Sequence, residues 1–286
     1  TALCEWLVAM LAVTRGVCDG MDALQAVDVG LGAEHGLAAM KYVLTPVAGH
    51  RGLLPTGAQA RAATDLARCL PRDYPTVAIW ALDFARLAEF YAPLATALQR
   101  VQTQRTPPAW QGLSVAVQNA GLELLRANRG GILSAAGTGP RGLEWVGIHL
   151  VGDAERIAGR HRDELLRGFT DRPGFHLTSV PVASRGGALA YASRLRLDAA
   201  ALPAASGPDS AEALVLREVM DELVGGEEIV GRVAGVHDKL FLAVQPDPAL
   251  LGEMLTRAQQ AETASPAWLR PVLASPPDTL CWYART

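Results

Sequence analysis

Four segments of the chain share a hydrophobic and polar pattern that predicts β-hairpins. In each one, two arms of roughly 7–10 alternating or β-branched residues are joined by a short polar tip. Three of the tips contain glycine, which suits tight turns because hairpin turns often require positive φ. The predicted hairpins cover 23–46, 131–153, 175–198 and 228–247. A lone strand is predicted at 74–82 and another near the end of the chain, within 274–285.

Amphipathic segments between these strands predict helices, because their apolar residues recur with helical spacing. They cover 2–13, 57–70, 83–102, 110–128, 154–169, 210–225 and 248–262. Four aspartates stand at junctions between strand and helix, namely Asp83, Asp153, Asp198 and Asp247. An aspartate there caps a helix by accepting a backbone N–H of the first turn, so capping is favoured over a metal site built from the four carboxylates.

Together these elements predict an α+β fold with repeated hairpin–helix units, a mostly antiparallel sheet and helices covering one face. We expect an N-terminal half, 1–104, with a hairpin, helix, strand and helix. The C-terminal half, 105–286, then holds three hairpin–helix units and a terminal strand, and a division near 129–130 is the alternative. Segments 69–81 and 274–285 both place a proline and an aspartate before an apolar strand. This similarity predicts a duplication, and a chain that is a fragment of a longer, internally duplicated protein.

Composition narrows the classes of partner. Half of the 286 residues are hydrophobic, which is ample for a core, and the net charge is -3. That charge gives no electrostatic reason to expect nucleic acid or an anionic membrane. No apolar run reaches the ~18 residues of a transmembrane span. The cysteines lack CxxC spacing, so both disulfides and free thiols stay open; they are Cys4, Cys18, Cys69 and Cys281.

The segment VHDKLFLAV places His237, Asp238 and Lys239 side by side, which raises the question of catalysis. The other three hairpins have different residues at the same point, so a solvated turn is favoured. The glycine-rich stretch 135–140 is followed by a strand, whereas a phosphate-binding loop must open a helix. We therefore expect no catalytic residues, no cofactor and no metal. Trp268, Trp282 and Tyr283 are the residues expected to face a protein partner.

Three stretches, LPRDYPTVAIWALDFARL, GLEWVGIHLVGDAERI and DKLFLAVQPDPALL, together resemble an uncharacterised group of duplicated α+β proteins. These proteins occur mostly outside the cytoplasm of high-GC bacteria, often as anchored or lipoprotein-like chains. The resemblance implies a periplasmic or membrane-associated location, and it supplies no catalytic residues. No leader or lipidation cysteine is visible in this chain.

Three functions follow as hypotheses. The first is a non-enzymatic structural or protein-interaction module within a larger extracytoplasmic assembly. The second is a carrier of a hydrophobic small molecule held between the sheet and its helices, as the high apolar fraction suggests. The third is a hydrolase of unknown class that uses scattered residues such as His149, His176 and Asp153.

Overall fold

The computed structural model describes most of the chain. The described residues are 11, 24–34, 37–47, 55–105, 108–139, 142–170, 174–182, 188–198, 226, 228–247, 249–260 and 279–285. The predicted helices 2–13 and 210–225 and the tryptophan Trp268 lie outside the described parts, apart from Leu11, which is assigned as helical.

In the described parts of the chain, ten strands form one sheet, and all their pairings are antiparallel. The strands are β1 Leu24–Glu34, β2 Leu37–Pro46, β3 Thr76–Trp80, β4 Asn128–Gly139, β5 Gly142–Val151, β6 Phe175–Val182, β7 Leu189–Leu197, β8 Glu228–Val236, β9 Lys239–Val244 and β10 Thr279–Arg285. Their spatial order is β1-β2-β10-β3-β4-β5-β9-β8-β7-β6. The α+β class and the mostly antiparallel sheet are therefore confirmed.

All four predicted hairpins are present, as the pairs β1–β2, β4–β5, β6–β7 and β8–β9. The β8–β9 turn shows why the sequence pattern works. Val236 pairs with Lys239, so two residues form the tip, and His237 there has a φ of 53°. Such positive φ matches the twist of a tight hairpin turn. The proposed repetition of hairpin–helix units and the duplication stay predictions.

Five α-helices are described, and each falls within or near a predicted segment. They are α1 Gly57–Asp65, α2 Phe84–Arg105, α3 Pro108–Ala127, α4 Ala154–Phe169 and α5 Leu250–Gln259. A short 3-10 turn, Leu66–Cys69, continues α1. None of the described helices is both long enough and apolar enough to cross a membrane.

The predicted aspartate caps are partly confirmed. Asp83 accepts the backbone N–H of Arg86 at 3.0 Å, and Asp153 accepts that of Arg156 at 3.1 Å. Asp247 is not the N-cap of α5, because that helix begins at Leu250 after Ala249. Its carboxylate instead accepts the N–H of Ala249, the residue just before the helix, at 2.9 Å. The helix that should follow Asp198 lies outside the described residues.

The helices cover both faces of the sheet, so the expectation that they cover one face is wrong. Successive strand residues belong to different cores: Ala234 packs in one cluster and its neighbour Val233 in the other. Because successive side chains point to opposite faces, the two clusters lie on opposite sides. Helices α1 and α5 close the first, while α4, with the end of α3, closes the second.

The sheet runs across the division predicted at 104–105. Strand β3, from the first part, pairs with β4, from the second. Strand β10 lies between β2 and β3, so the end of the described chain is held beside its beginning. The separation into 1–104 and 105–286 stays a prediction, and both parts contribute strands to the same sheet.

Candidate functional site

Helix α4 packs across the second face of the sheet because its residues are sharply divided between apolar and charged. Ala154, Ile157 and Ala158 are buried against the sheet, while the other side of the helix is rich in arginine and glutamate. The start of α4 approaches β8 closely at Gly235, where any Cβ would overlap the backbone of Ala154. This contact and the Asp153 cap fix the position of the first turn of the helix.

Helix α3 lies beside α4 and runs in the opposite direction. At one end the helices touch, since a Cβ on Gly168 would overlap that of Ala116. Further along, Arg160 reaches Glu123 across the gap, with 2.7 Å between Nη1 and Oε1. Beyond the close contact the helices leave a groove of about 470 Å³. Its lining residues are Asn119, Leu122, Glu123, Arg126, Ala127, Arg156, Ile157, Arg160 and Glu164.

The groove has an apolar floor and a charged rim. Leu122 and Ile157 are buried, and both face the recess. The rim carries three arginines and two glutamates. No described residue forms a hydrogen bond or ion pair with the guanidinium of Arg126, which is exposed in the last turn of α3. The groove can therefore hold an apolar body and an acidic group together.

Two histidines lie near each other between the sheet and α4, His149 on strand β5 and His161 on the helix. The Nδ1 atoms of His149 and His161 are both buried, and neither has a hydrogen-bond partner among the described residues. Burial, together with the nearby His161, lowers the pKa of His149 from 6.5 to about 4. Burial also lowers the pKa of His161. At neutral pH both imidazoles are therefore uncharged.

A second charged cluster lies on the other face, and sequence reasoning missed it. The side chain of Glu144, on β5, is 1% exposed. It forms an ion pair with Arg72, and it accepts hydrogen bonds from the Tyr74 hydroxyl at 3.0 Å and from the Asp247 backbone N–H at 2.9 Å. Burial and the Glu144 charge raise the pKa of Tyr74. The cluster joins three distant segments, and its carboxylate has a partner at each oxygen.

A signal for Glu144 was present in the sequence. In the β5 arm, Glu144 shares the core-facing period of Val146 and Ile148, and a carboxylate at such a position indicates a buried partner. Its partners could not be named, because Arg72 and Tyr74 are 72 and 70 residues away in the chain.

The residues considered for a hydrolase are not brought together. His149 lies on β5 and His176 on β6, with β9, β8 and β7 between them. Four strand spacings separate the two histidines by about 19 Å or more. The carboxylate of Asp153 caps α4. A nucleophile, base and acid must lie within hydrogen-bond reach of one another, and these three do not.

The His237–Asp238–Lys239 segment is a hairpin tip, as predicted. His237 and Asp238 are exposed, and Lys239 Nζ donates to Asp238 Oδ1 at 2.8 Å. Within the described parts of the chain, no group of three or more His, Cys, Asp or Glu could hold a metal ion. Of the cysteines, Cys69 is described as a buried free thiol, and burial raises its pKa to about 11.

The predicted partner-facing residues Trp282 and Tyr283 belong to β10. They pair with Met40 and Ala39 of β2 on one side, and with β3 on the other. Strand β10 is therefore an inner strand, and its edges are occupied on both sides. A partner could reach these residues only from a face of the sheet. Their role in binding stays a prediction.

An open edge lies instead at the other end of the sheet. Among the described residues, β6 pairs only with β7. His176, Thr178 and Val180 are exposed in alternation along β6, and Val180 is 56% exposed. Pro181 follows in the same strand, as edge strands tolerate. The outer edge of β6, which no described strand occupies, thus lies beside an exposed apolar side chain.

Comparison of the chain with known proteins finds no matching family model, no matching curated protein and no matching solved structure.

Proposed function

We propose that this chain is a non-enzymatic protein-interaction module and a component of a larger extracytoplasmic assembly. The observation that carries the proposal is strand β6, whose outer edge has no paired strand among the described residues. An edge strand presents a row of N–H and C=O groups that a strand of another protein can pair with. Its partner is thus a protein that adds an extended segment beside β6.

The side chains of β6 support the same mode of binding. Phe175 packs near Phe169 of α4, with 5.7 Å between ring centroids, so the strand is anchored on one face. On the other face Val180 is exposed, where an added strand could cover it. Ser193 donates to Ser179 at 2.9 Å, which ties β6 to β7. A strand that its neighbours already order loses little conformational entropy on pairing, which favours association.

The separation of the candidate catalytic groups supports a non-enzymatic role. The sequence offered His149, His176 and Asp153 as members of a hydrolase set, and they lie on separate elements. An extracytoplasmic location and the resemblance to duplicated lipoprotein-like chains belong to the same proposal, and cell fractionation tests the location.

The experiment compares the chain and two variants, each isolated from its source and measured by native mass spectrometry. Val180→Lys places a charge on the open edge, and charged edge residues prevent strand addition. Leu143→Lys is the matched control, because Leu143 is also an exposed apolar strand residue, at 47%. We expect the unmodified chain and Leu143→Lys to carry the same protein partner, and Val180→Lys to be isolated without it.

Two results would overturn the proposal. The unmodified chain could be isolated at its own mass under conditions that retain complexes. Alternatively, Val180→Lys could keep the partner with the same occupancy as Leu143→Lys, which would place the interface elsewhere. Circular dichroism melting of each variant checks that the fold is kept.

A further inference from the structure

The groove between α3 and α4 has a shape that the packing of the two helices sets. The helices are in contact where Gly168 meets Ala116, because glycine leaves room for the neighbouring helix. The groove lies beyond this contact, between residues 119–127 of α3 and 156–164 of α4. At 1.5 Å per residue, that stretch is about 12 Å long. Its volume of about 470 Å³ lies within the usual range of small-molecule sites.

The arginines of the groove differ in how far their charge is already neutralised. Arg160 is paired with Glu123 at 2.7 Å, and Arg156 lies 3.4 Å from Asp153, which also caps the helix. Arg126 has no ion pair with any described residue. Arg126 and Arg156 lie in the last turn of α3 and the first turn of α4, respectively. They therefore stand at the same end of the groove, which is the end away from Gly168.

Electrostatics at that end favour an anion. Three arginines and two glutamates line the groove, and Asp153 lies beside Arg156 while Arg167 pairs with Glu164. The unbalanced positive charge is therefore that of Arg126. The N-terminus of α4 adds a partial positive charge beside Arg156. Guanidinium groups form paired, charge-assisted hydrogen bonds with carboxylates and phosphates.

The floor adds a second requirement. Leu122 and Ile157 line the groove and are 8% and 2% exposed, and Ala127 lies beside them. A fully hydrated ion would make no favourable contact with these apolar side chains. A molecule that combines an acidic head with a short apolar body would satisfy both parts of the groove.

We propose that the groove between α3 and α4 binds a small amphipathic anion. Its carboxylate or phosphate contacts Arg126 and Arg156, and its apolar part covers Leu122 and Ile157. This differs from a carrier that holds a hydrophobic molecule between sheet and helices, because the site lies between two helices and is dominated by charge. The site is independent of the β6 edge, so loss of the protein partner in Val180→Lys leaves this binding unchanged.

The test titrates the full chain with octyl phosphate and octanoate by isothermal titration calorimetry. Inorganic phosphate reports on the head group alone, and 1-octanol reports on the apolar part alone. Arg126→Gln and Arg156→Gln each remove one guanidinium. Arg61→Gln, an exposed arginine on α1, is the matched control. Asn119→Trp fills the groove from an exposed position, and Gly121→Trp introduces the same side chain on α3 outside it, without a change of charge.

We expect the unmodified chain to bind at least one octyl anion at a single site. Arg126→Gln and Arg156→Gln should each weaken that binding by about tenfold or more, as expected for lost charge-assisted hydrogen bonds. Arg61→Gln and Gly121→Trp should bind as the unmodified chain does, and Asn119→Trp should not bind. The relative affinity of octyl phosphate and octanoate then identifies the head group.

The proposal is overturned if neither octyl anion binds in a saturable way. It is also overturned if either groove-arginine variant binds as tightly as the unmodified chain. Inorganic phosphate that binds as tightly as octyl phosphate, or 1-octanol that binds as tightly as the anions, would contradict the amphipathic assignment. Melting curves of all variants distinguish lost binding from lost folding.

Discussion

Two charged clusters in this chain are built from similar residues and differ in how their charges are satisfied. Around Glu144, the carboxylate is buried, and Arg72, Tyr74 and the Asp247 N–H supply partners. In the groove between α3 and α4, the guanidinium of Arg126 is exposed and has no partner among the described residues. A closed cluster can contribute to folding but has no capacity for a ligand. An open cluster contributes little to folding and keeps its capacity to bind.

The largest effect is expected from Glu144→Ala. Removing one member of a buried pair leaves its partners without their acceptor, and such changes cost about 3–5 kcal/mol. Arg72 is 41% exposed and can regain water, so we expect a loss near the lower end, about 3 kcal/mol. Urea unfolding measures the difference. Glu144→Gln keeps a hydrogen-bond acceptor and should lose less stability than Glu144→Ala. If Glu144→Ala lost under about 0.5 kcal/mol, the buried cluster would not depend on the carboxylate.

Acid should destabilise the chain through the histidine pair. The folded-state pKa of His149, about 4, lies below its unfolded value of 6.5, so the unfolded state takes up the proton first. The contribution of neutral His149 to the free energy of unfolding is fully present above pH 6.5, and it is lost as the pH falls towards 4. The lowering of the His149 pKa from 6.5 to about 4 corresponds to about 3 kcal/mol of unfolding free energy.

The measurement is the free energy of unfolding at several pH values between 7 and 4, for the unmodified chain and His149→Leu. Carboxylates contribute equally to both chains, so the difference between the curves reports His149. We expect the unmodified chain to lose stability more steeply. Parallel curves would mean that His149 is protonated as easily in the folded state as in the unfolded state.

Smaller effects should separate the two aspartates at helix starts. Asp153 accepts an N–H within the first turn of α4, so Asp153→Ala should cost about 1 kcal/mol. Asp247 lies before α5 and its side chain accepts the N–H of Ala249 outside the helix, so Asp247→Ala should cost about 0.5 kcal/mol. Thermal melting of both variants compares them. Equal losses would restore Asp247 as a true cap.

The smallest effect on folding is expected from Arg126→Gln. Its guanidinium has no partner among the described residues, and such surface changes alter stability by less than about 0.5 kcal/mol. Urea unfolding measures the change. A loss above about 1 kcal/mol would show that Arg126 contributes to folding, as the Glu144 cluster does.

Local patterns in the sequence were enough to predict the hairpins and most helices. The β8–β9 turn, for example, follows from a polar tip between alternating arms, and α4 begins and ends at the predicted residues 154 and 169. These features depend on neighbours within a few residues. The predicted cap at Asp247 is wrong by two positions, because the N-cap residue is Ala249. The Asp247 carboxylate accepts the N–H of Ala249 before the helix begins.

Long-range pairing could not be predicted from such patterns. Nothing local places β10 between β2 and β3, or β9 beside β5, because antiparallel strands with similar apolar arms can pair in many orders. Helices on both faces follow from that order. The groove was missed for the same reason: Arg126 and Arg156 lie 30 residues apart, and only the packing of α3 on α4 gathers them at one site.

The most direct test of the contrast between closed and open charge is a paired measurement on Arg72→Gln and Arg126→Gln. Each variant is measured twice, by urea unfolding and by titration with octyl phosphate. We expect Arg72→Gln to lose about 2 kcal/mol of stability with unchanged affinity below its unfolding transition. Arg126→Gln should keep its stability and lose about tenfold in affinity. If both variants lose stability and neither loses affinity, the groove is a structural contact and not a binding site.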